Sequence, residues 1–510
     1  MCFPTSRYRA WAPLGLVKRS FVQQVLRRSS RKCLLSCSRS ENDMDSAALM
    51  RDAAIRRALE PFDDGSFSAL LRRHVACKTE SPGIADRELM RDYLTQQITP
   101  LLSRLGFSSS VFENPLQDAN PFLIAQRSED PGLPTVLIYG HGDVVRGDDA
   151  LWRSDLSPWA LTIEGDHWYG RGSADNKGQF LVNLTALEAA IAEGGGRLGF
   201  NVKILFETGE EIGSPGLREI AIAQRELLKA DVFIASDGNR VSASNPTLFL
   251  GSRGEVEFEI ALNARSRPYH SGNWGGVLSN PATILAHVIT KLVDERGRIV
   301  VEGLRPPSVP EHVRALLAEV PIGEDDDAPS IDDDWGEPGL TPAERIFGWN
   351  TIETLALKAA DADAPGSAIP ARAKAICQLR FVVGTKASEA KEILLEHLAQ
   401  NGFHSAEVTI RSYTPATRLD PHNPWALWAM NSIERSARKV PTLLPNLGGT
   451  LPNYVFSELL ELPTLWIPHS YPACAQHGPN EHLLASVVRE SLAIMAGLWW
   501  DLGHFEDATR

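Results

Sequence analysis

The chain has 510 residues and a net charge of −13 at pH 7, with the 43% hydrophobic and 23% charged content of an ordinary globular protein. This length is enough for two domains with full hydrophobic cores, and no apolar run approaches the roughly 18 residues of a membrane-spanning helix. The negative charge argues against nucleic acid or an anionic membrane as the main partner.

The first 43 residues differ in composition from the rest. They are rich in Arg, Lys and Ser, and no acidic residue occurs before Glu41. A transit peptide has this composition. An upstream start codon, with Met44 as the true first residue, explains it equally simply, and we favour that explanation slightly. Residues 1–43 are interpreted as a basic extension, either disordered or not native, that is no part of the fold.

The cysteines indicate a reducing compartment. None of the six forms a Cys-x-x-Cys pair, and for a chain of this length they predict no disulfide framework. We therefore expect a cytoplasmic protein. The cysteines are Cys2, Cys33, Cys37, Cys77, Cys377 and Cys474.

The first half of the chain alternates helices and apolar strands. A helical region begins near Met50 and includes a predicted helix whose apolar positions are Leu89, Tyr93, Leu94, Ile98, Leu102 and Leu105. Strands are predicted over 135–143, 201–211 and 231–237, with a helix over 176–196 that ends in a run of glycines. Near-continuous apolar strands separated by helices predict an α/β fold, a mostly parallel sheet with helices on both faces.

The pattern changes after Asp237. Residues 254–262, "GEVEFEIAL", alternate strictly between apolar and polar, and 373–383 and 406–414 are also strand-like, with a helix over 388–403 between them. Period-two alternation indicates an antiparallel sheet with one open face. We therefore predict an α+β domain inserted into the first domain. The α/β pattern resumes near 417, with a buried strand at 462–470 and a final helix after His482. The predicted domains are 44–246 and 415–510 for the first domain and 247–414 for the insertion.

Polar residues stand where the first buried strand stops, in "TVLIYGHGDVV". His141 and Asp143 are two apart and point the same way on a strand. A metal-binding histidine usually donates its other ring N–H to a carboxylate, so His141 is a candidate ligand and Asp143 a candidate for orienting it. Alone, His-x-Asp more often marks a structural hydrogen-bonded pair.

Further candidates follow in "WYGRGSADNKG", "FETGEEIGS", "DVFIASDGN" and "ACAQHGPNEH". Asp175 opens a helix and could simply be an N-cap. Glu210 and Glu211 follow a strand, where a cation would relieve their repulsion, although a solvated pair explains them as well. Asp237 and His477 each follow a buried strand and could be turn residues.

These residues are all predicted to lie at the same edge of the sheet. His141, Glu211 and Asp237 lie at the C-terminal ends of parallel strands, and Asp175 and His477 lie in loops expected at the same edge, where open α/β sheets build their sites. Two imidazoles and three carboxylates suit Zn²⁺, Co²⁺ or Mn²⁺, and a carboxylate shared between two ions would complete a two-metal site.

At this point the chain resembles a known family, over about 50–505. The motifs are "GHGDVV", "WYGRGSADNKG", "ETGEEIGS", "SDG", "YHSGNWGGVLSNP", "NLGGTLP" and "HGPNE". They resemble those of the two-metal peptidase and deacylase family that includes carnosine dipeptidase, bacterial dipeptidases and tripeptidase, aminoacylase, acetylornithine deacetylase, succinyl-diaminopimelate desuccinylase and glutamate carboxypeptidase. The resemblance implies that the insertion is a ferredoxin-like lid through which two copies form a homodimer.

The resemblance also implies residue roles around two divalent ions, Zn²⁺ by preference and Mn²⁺ or Co²⁺ as alternatives. His141 and Asp237 would hold one ion, Glu211 and His477 the other, and Asp175 would bridge them through a cis Asp175–Asn176 peptide. Glu210 would be the general base for the attacking water, and Asp143 would orient His141. His270 would reach the partner subunit's site and stabilise the oxyanion. Arg380 would grip the substrate carboxylate, beside a pocket loop that contains Gly448, Gly449 and Thr450.

Asp at position 237 and the "GHGDVV" motif are similar to the dipeptidase branch. Two departures from the pattern are Gly142, where dipeptidases often carry a bulkier residue, and a long acidic stretch at about 305–345. The predicted function is amide hydrolysis of dipeptides or similar small peptides. One alternative is an N-acyl amino acid or other small-amide hydrolase on the same metal centre. Another is a non-catalytic binding protein, which the intact ligand set and Glu210 disfavour. A serine or cysteine nucleophile is disfavoured because no Gly-x-Ser-x-Gly elbow or Cys-His context occurs.

Overall fold

The computed structural model describes residues 41–81, 86–323, 325 and 328–504, with only the backbone of 41–48. The predicted basic extension therefore lies outside the described residues as far as position 40. The strands are β1 (Ser108–Phe112), β2 (Phe122–Arg127), β3 (Thr135–His141), β4 (Thr162–Glu164), β5 (His167–Tyr169), β6 (Asn201–Glu207), β7 (Val232–Ala235), β8 (Thr247–Phe249), β9 (Gly254–Asn263), β10 (Tyr269–His270), β11 (Thr351–Lys358), β12 (Ala368–Ile369), β13 (Arg372–Phe381), β14 (Ala406–Thr414), β15 (Thr442–Leu444), β16 (Thr464–Trp466) and β17 (His482–Leu484).

The α-helices are α1 (Glu41–Asp63), α2 (Ser66–Val75), α3 (Arg87–Asp92), α4 (Thr99–Arg104), α5 (Lys177–Glu193), α6 (Leu217–Ala223), α7 (Arg225–Leu228), α8 (Ser271–Trp274), α9 (Pro281–Ile289), α10 (Glu311–Leu317), α11 (Pro342–Phe347), α12 (Ala390–Gln400), α13 (Pro424–Ala437) and α14 (Ala485–Gly503). Short 3₁₀ turns occur at Asp149–Leu151, Glu210–Ile212, Glu302–Leu304 and Ala387–Glu389, and wider π-helical turns at Tyr93–Ile98 and Val455–Leu459. None of the described helices is both long and apolar enough to span a bilayer.

A large twisted sheet forms the centre of the fold. Within the described residues it has eight strands in the order β1-β2-β6-β3-β7-β16-β8-β15. The central run β6-β3-β7-β16 is parallel, whereas β1 and β2 are antiparallel additions at one edge. The parallel strands are buried along nearly their whole length because helices cover the sheet. The predicted α/β fold, with its mostly parallel central sheet, is confirmed.

A second, antiparallel sheet follows in the chain, in the order β11-β13-β9-β14. Strand β9 alternates between buried and half-exposed residues, with Val256, Phe258 and Ile260 on the buried face. That face packs against α9 and α12 in a hydrophobic core that includes Leu285 and Leu394. The other face is open and charged. This is the one-sided sheet that the period-two alternation predicts.

The stretch between β10 and β11 contributes to the core of the large sheet. Side chains of α10 and α11, among them Val313 and Phe347, pack in one cluster with Phe233 and Phe456. Residues inside the predicted 247–414 insertion thus bury apolar surface against the first domain. The domain boundaries themselves stay a prediction.

The predicted helix around Leu89–Leu105 is present but not continuous. A π-helical turn at Tyr93–Ile98 separates α3 from α4. Pro100 explains the interruption, because it has no N–H to donate and its ring would collide with the carbonyl four residues earlier. In the first segment, Met90 rather than Leu89 is fully buried.

Gly142 has a packing explanation. A Cβ at this position would lie 2.3 Å from Cε1 of Tyr93 and 2.8 Å from Cε1 of Phe206. The aromatic ring of Tyr93 therefore occupies the space that a side chain at position 142 would need. The glycine, which departs from the dipeptidase pattern, is thus explained by the tight packing of aromatic rings behind β3.

Gly142→Ala is expected to lower the free energy of unfolding by about 1–3 kcal/mol, because overpacking a rigid core forces aromatic rings out of their rotamers. Urea denaturation would measure the change. Gly366→Ala is the matched control, since no atom lies within 4 Å of a Cβ at that position. Equal stability of the two variants would contradict the packing explanation.

Candidate metal centre

The site is built at the carboxyl edge of the parallel strands. His141 is the last residue of β3, Asp237 lies two residues beyond β7, and Glu211 lies in the 3₁₀ turn after β6. Because β6, β3 and β7 are neighbours and parallel, these three side chains meet at one edge of the sheet. Asp175 stands just before α5, and His477 lies in the loop between β16 and β17.

The five predicted ligands fall into two groups that share Asp175. His141, Asp175 and Asp237 form one group, and Asp175, Glu211 and His477 form the other, with the ligand atoms of each group all within 4.8 Å of one another. The peptide between Asp175 and Asn176 is cis.

The distances show how Asp175 is shared. Its Oδ1 lies 3.0 Å from Nε2 of His141, and its Oδ2 lies 3.0 Å from Nε2 of His477. The second imidazole is also 3.0 Å from Oε2 of Glu211, whereas Oδ2 of Asp237 lies 3.6 Å from Nε2 of His141. One carboxylate therefore faces both halves of the site.

The two adjacent glutamates diverge. Glu211 points to His477, while Oε2 of Glu210 lies 4.0 Å from Nε2 of His141. The carboxylate of Asp143 accepts the backbone N–H of Glu210 at 3.2 Å and that of Glu211 at 3.1 Å. Nδ1 of His141 is 3.1 Å from the backbone carbonyl of Asp143 and 3.4 Å from its carboxylate. Asp143 thus fixes the glutamate turn as well as contacting His141.

Burial and charge shift the pKa values of the acids strongly. Burial raises the pKa of Glu210 well above its usual range, and the neighbouring carboxylates of Asp237 and Glu211 add to this. Burial, with the charge of Asp175, raises the pKa of Glu211 to about 7. For Asp175 burial acts in the same direction, but hydrogen bonds from His141 and His477 dominate and lower its pKa.

The histidines show the complementary effect. Hydrogen bonds to Asp175 and Glu211 raise the pKa of His477 to about 11. Burial acts to lower the pKa of His141, but Asp143, Asp175 and Asp237 raise it well above the usual value. Positive charge is strongly favoured at both positions, which is the electrostatic environment that a cation site requires.

The donor set also fits divalent ions. Oδ2 of Asp237 is buried and has no hydrogen-bond partner among the described residues. Such an orphaned buried oxygen is costly unless a ligand satisfies it. Two imidazoles and three carboxylates, with one carboxylate facing both halves, suit borderline ions such as Zn²⁺.

Sequence reasoning missed several polar neighbours. The amide of Gln476 donates to Oδ2 of Asp175 and is itself held by Asn239. Glu207 is buried at the end of β6, where it accepts from the hydroxyls of Tyr139 at 2.7 Å and Ser214 at 2.9 Å. Glu207 and Gln476 do lie in the motifs that carry the ligands, but no pattern distinguishes them from ordinary strand and loop residues.

The loop of His477 is conformationally unusual. His477 has φ 62° and Ala475 has φ 56°. Positive φ is uncommon in residues other than glycine and persists only where the surroundings hold it. The contacts of His477 with Asp175 and Glu211 are surroundings of this kind.

Arg380 of β13 contacts Thr450, which lies in the loop after β15. Nη1 of Arg380 donates to Oγ1 of Thr450 and forms an ion pair with Glu255 at 3.0 Å. Arg253, which sequence reasoning missed, donates from Nε to the carbonyl of Gly448 at 2.6 Å. Burial and the charge of Arg380 lower the pKa of Arg253 to about 9. The predicted pocket loop is thus held by a hydrogen bond from the buried Arg253, and Arg380 contacts it as well.

His270 is separate from the metal centre. It is exposed, and its Nδ1 accepts from the N–H of Gly272 at 3.1 Å. In the part of the chain that the structure describes, it makes no hydrogen bond or ion pair with any predicted ligand. Trp274 and Val277 in the same loop are also exposed.

Comparison with known proteins agrees with this architecture. The family model "Peptidase family M20/M25/M40" matches residues 137–501. The cysteinylglycine-S-conjugate dipeptidase of Corynebacterium striatum is 30% identical over 342 residues, which cover 64% of this chain and 71% of that protein. The mouse Beta-Ala-His dipeptidase is 26% identical over 389 residues, 71% of this chain and 76% of that protein.

Solved structures show the same fold. Human carnosine dipeptidase 1 superimposes with a TM-score of 0.76 at 23% identity, covering 89% of this chain and 99% of that one. The di-peptidase Dug1p of Saccharomyces cerevisiae gives a TM-score of 0.76 at 21% identity, with 90% and 99% covered. The family match spans most of the sequence and includes all five predicted ligands. This chain belongs to the peptidase family M20/M25/M40.

Proposed function

We propose that this chain is a metal-dependent dipeptidase, which hydrolyses the amide bond of dipeptides or similar small peptides at a centre of two divalent ions. The observation that carries the proposal is the pair of ligand groups joined through Asp175. The names of the curated relatives, dipeptidases in both cases, support the substrate class.

His141 and Asp237 would hold one ion, Glu211 and His477 the other, and Asp175 both. Zn²⁺ suits this mixture of imidazole and carboxylate, as do Mn²⁺ and Co²⁺. When bound, two such ions lower the pKa of the attacking water and neutralise charge that develops on the amide oxygen.

Glu210 is the proposed general base. Its carboxylate lies 4.0 Å from Nε2 of His141. Because burial raises its pKa, it can accept a proton from the attacking water and keep it until the leaving amine takes it. Asp143 holds the backbone of this turn and so fixes the direction in which Glu210 points.

Substrate contacts are assigned to Arg380 of β13 and to the loop after β15. Arg380 would bind the substrate carboxylate with its planar fork, beside Gly449 and Thr450. The ion pair with Glu255 supports this role, because it holds the guanidinium next to the Thr450 hydroxyl.

The active form is proposed to be a homodimer through the inserted lid domain. Strand β11 is an edge of the small sheet, and its residues from Glu353 to Lys358 are exposed. Leu355 is 53% and Leu357 61% exposed, and an exposed edge strand with apolar side chains is a template for pairing with another chain. His270 would then complete the partner's site.

A cytoplasmic location is proposed from the cysteines. Cys77, Cys377 and Cys474 are all free thiols in the described part of the chain. Cysteines without disulfide partners are typical of a reducing compartment.

The Zn²⁺- or Mn²⁺-loaded protein should hydrolyse free dipeptides in a mixed panel of dipeptides and N-acyl amino acids analysed by mass spectrometry. Treatment with a chelator should abolish the reaction, and added metal should restore it. The matched control is the same panel with an Asp175→Asn variant. Cleavage of acylated amino acids alone would keep the metal centre and overturn the substrate class.

Glu210→Gln is expected to retain both metal ions and to lower kcat by at least 100-fold, because the amide cannot accept the proton of the attacking water. Metal content by elemental analysis and steady-state kinetics would be measured together. Turnover close to wild type would refute the assignment of the base.

His270→Ala should lower kcat without releasing metal, and mixing it with Glu210→Gln tests whether His270 acts across the dimer. A one-to-one mixture that exchanges subunits forms heterodimers with one intact site, so about a quarter of wild-type activity should return. No recovery after demonstrated exchange would place His270 outside the partner's site, and a wild-type rate for His270→Ala alone would exclude the oxyanion role.

A further inference from the structure

Glu481 is a buried acid outside the two ligand groups, and its side-chain contacts converge on the segment that carries Asp175. Its exposed fraction is 1%. Oε2 accepts from Nη1 of Arg171 at 2.7 Å and from the N–H of Gly172 at 3.2 Å. Oε1 accepts from the N–H groups of Ala174 at 2.9 Å and Asp175 at 3.1 Å. Each oxygen of the Glu481 carboxylate therefore accepts two hydrogen bonds.

These bonds join two loops that are far apart in sequence. Glu481 follows His477 by four residues, in the loop between β16 and β17. The segment from Arg171 to Asp175 precedes α5. Each loop supplies one ligand of the group that contains Asp175, Glu211 and His477. The carboxylate of Glu481 is thus a side-chain link between the backbone of the shared ligand and the loop of the second histidine.

Arg171 does not account for all of these contacts. An ion pair with Arg171 uses one oxygen of Glu481, whereas the other oxygen serves only the N–H groups of Ala174 and Asp175. An arginine partner alone would leave those two buried N–H groups without an acceptor, at a cost comparable to lost hydrogen bonds. The second oxygen therefore acts on the segment that carries the ligand.

We propose that Glu481 is a positioning residue of the metal centre, which fixes the backbone of Asp175 so that its two carboxylate oxygens face the two imidazoles. The proposal rests on the proposed two-metal function. The geometric requirement is strict because Asp175 must be within reach of both His141 and His477 at once. Outer-shell partners of this kind set the orientation of a ligand and hence the affinity for the metal.

Glu481→Gln tests the proposal, because a glutamine has no satisfactory orientation here. Each oxygen of Glu481 accepts two N–H groups, so the amide NH₂ would face two donors whichever way it is turned. The apparent dissociation constant for Zn²⁺, measured by competition with a chelating dye, is expected to rise about 10- to 100-fold. The increase in Tm on adding Zn²⁺ should shrink in parallel.

Asp501→Asn is the matched control. Asp501 is also an acid paired with an arginine, with a side chain only 9% exposed, since it accepts from Nε of Arg51 at 2.9 Å and from Ser432 and Arg435. None of these partners belongs to the metal centre. The control should lower Tm while leaving the Zn²⁺ dissociation constant within twofold of wild type. If Glu481→Gln behaves in the same way, the acid is structural only and the proposal is overturned.

A second variant covers the case in which Glu481→Gln does not fold. Glu481→Asp keeps the charge next to Arg171 but is one methylene too short to reach the same N–H groups. It should weaken Zn²⁺ binding more than threefold, and wild-type affinity would overturn the proposal.

The wild-type protein distinguishes failure of the proposed function from failure of the proposed role of Glu481. Failure of wild type to bind two ions or to hydrolyse dipeptides refutes the proposed function, whereas normal wild-type behaviour with unaffected variants refutes only the role of Glu481.

Discussion

A single shared carboxylate is the constraint on which the site depends. Asp175 lies 3.0 Å from one imidazole through Oδ1 and 3.0 Å from the other through Oδ2. His141 comes from the end of β3 and His477 from a loop more than 300 residues later in the chain. Both must be positioned to within a few tenths of an ångström of one aspartate. The parallel sheet supplies the first position, because β3 is buried and paired on both sides. The hydrogen bonds of the loops must position Asp175 and His477.

Much of this edge was predictable from the sequence. The strands at His141, Glu211 and Asp237 are apolar runs that stop at polar residues, and parallel strands bring such ends together. The contacts of Asp143 with the glutamate turn and of Glu481 with the segment of Asp175 were harder to predict, because both acids accept backbone N–H groups from distant segments. A sequence shows that a carboxylate is present but not which amides a distant loop will leave without acceptors. The role of Gln476 could not be predicted for the same reason, because its amide reaches Asp175 only in the folded chain.

The stretch of chain between β10 and β11 shows a second limit of sequence patterns. The sequence marks about 305–345 as an acidic stretch, but its pattern predicts neither α10 and α11 nor the core against which they pack. In the structure they pack with Phe233 and Phe456 beneath the large sheet. This placement has consequences for the proposed pocket, since a Cβ at Gly448 would lie 2.8 Å from Cγ2 of Ile346. The acidic departure from the family pattern thus contains a helix that supports the loop next to Arg380.

The position of His270 is compatible with the proposal that this histidine acts in the site of a second copy. Its imidazole is exposed and turned back on the N–H of Gly272, beside the exposed side chains of Trp274 and Val277. The exposed Trp274 and Val277 side chains gain little from contact with water, whereas contact with another protein surface would bury Trp274. The exposed edge of β11 lies in the same chain segment that forms the small sheet. Both features belong to the inserted part of the chain, and the five ligands belong to the large sheet and its loops. Under the proposed function, the large sheet and its loops would hold the ions, and the insertion would bring His270 to a neighbouring copy.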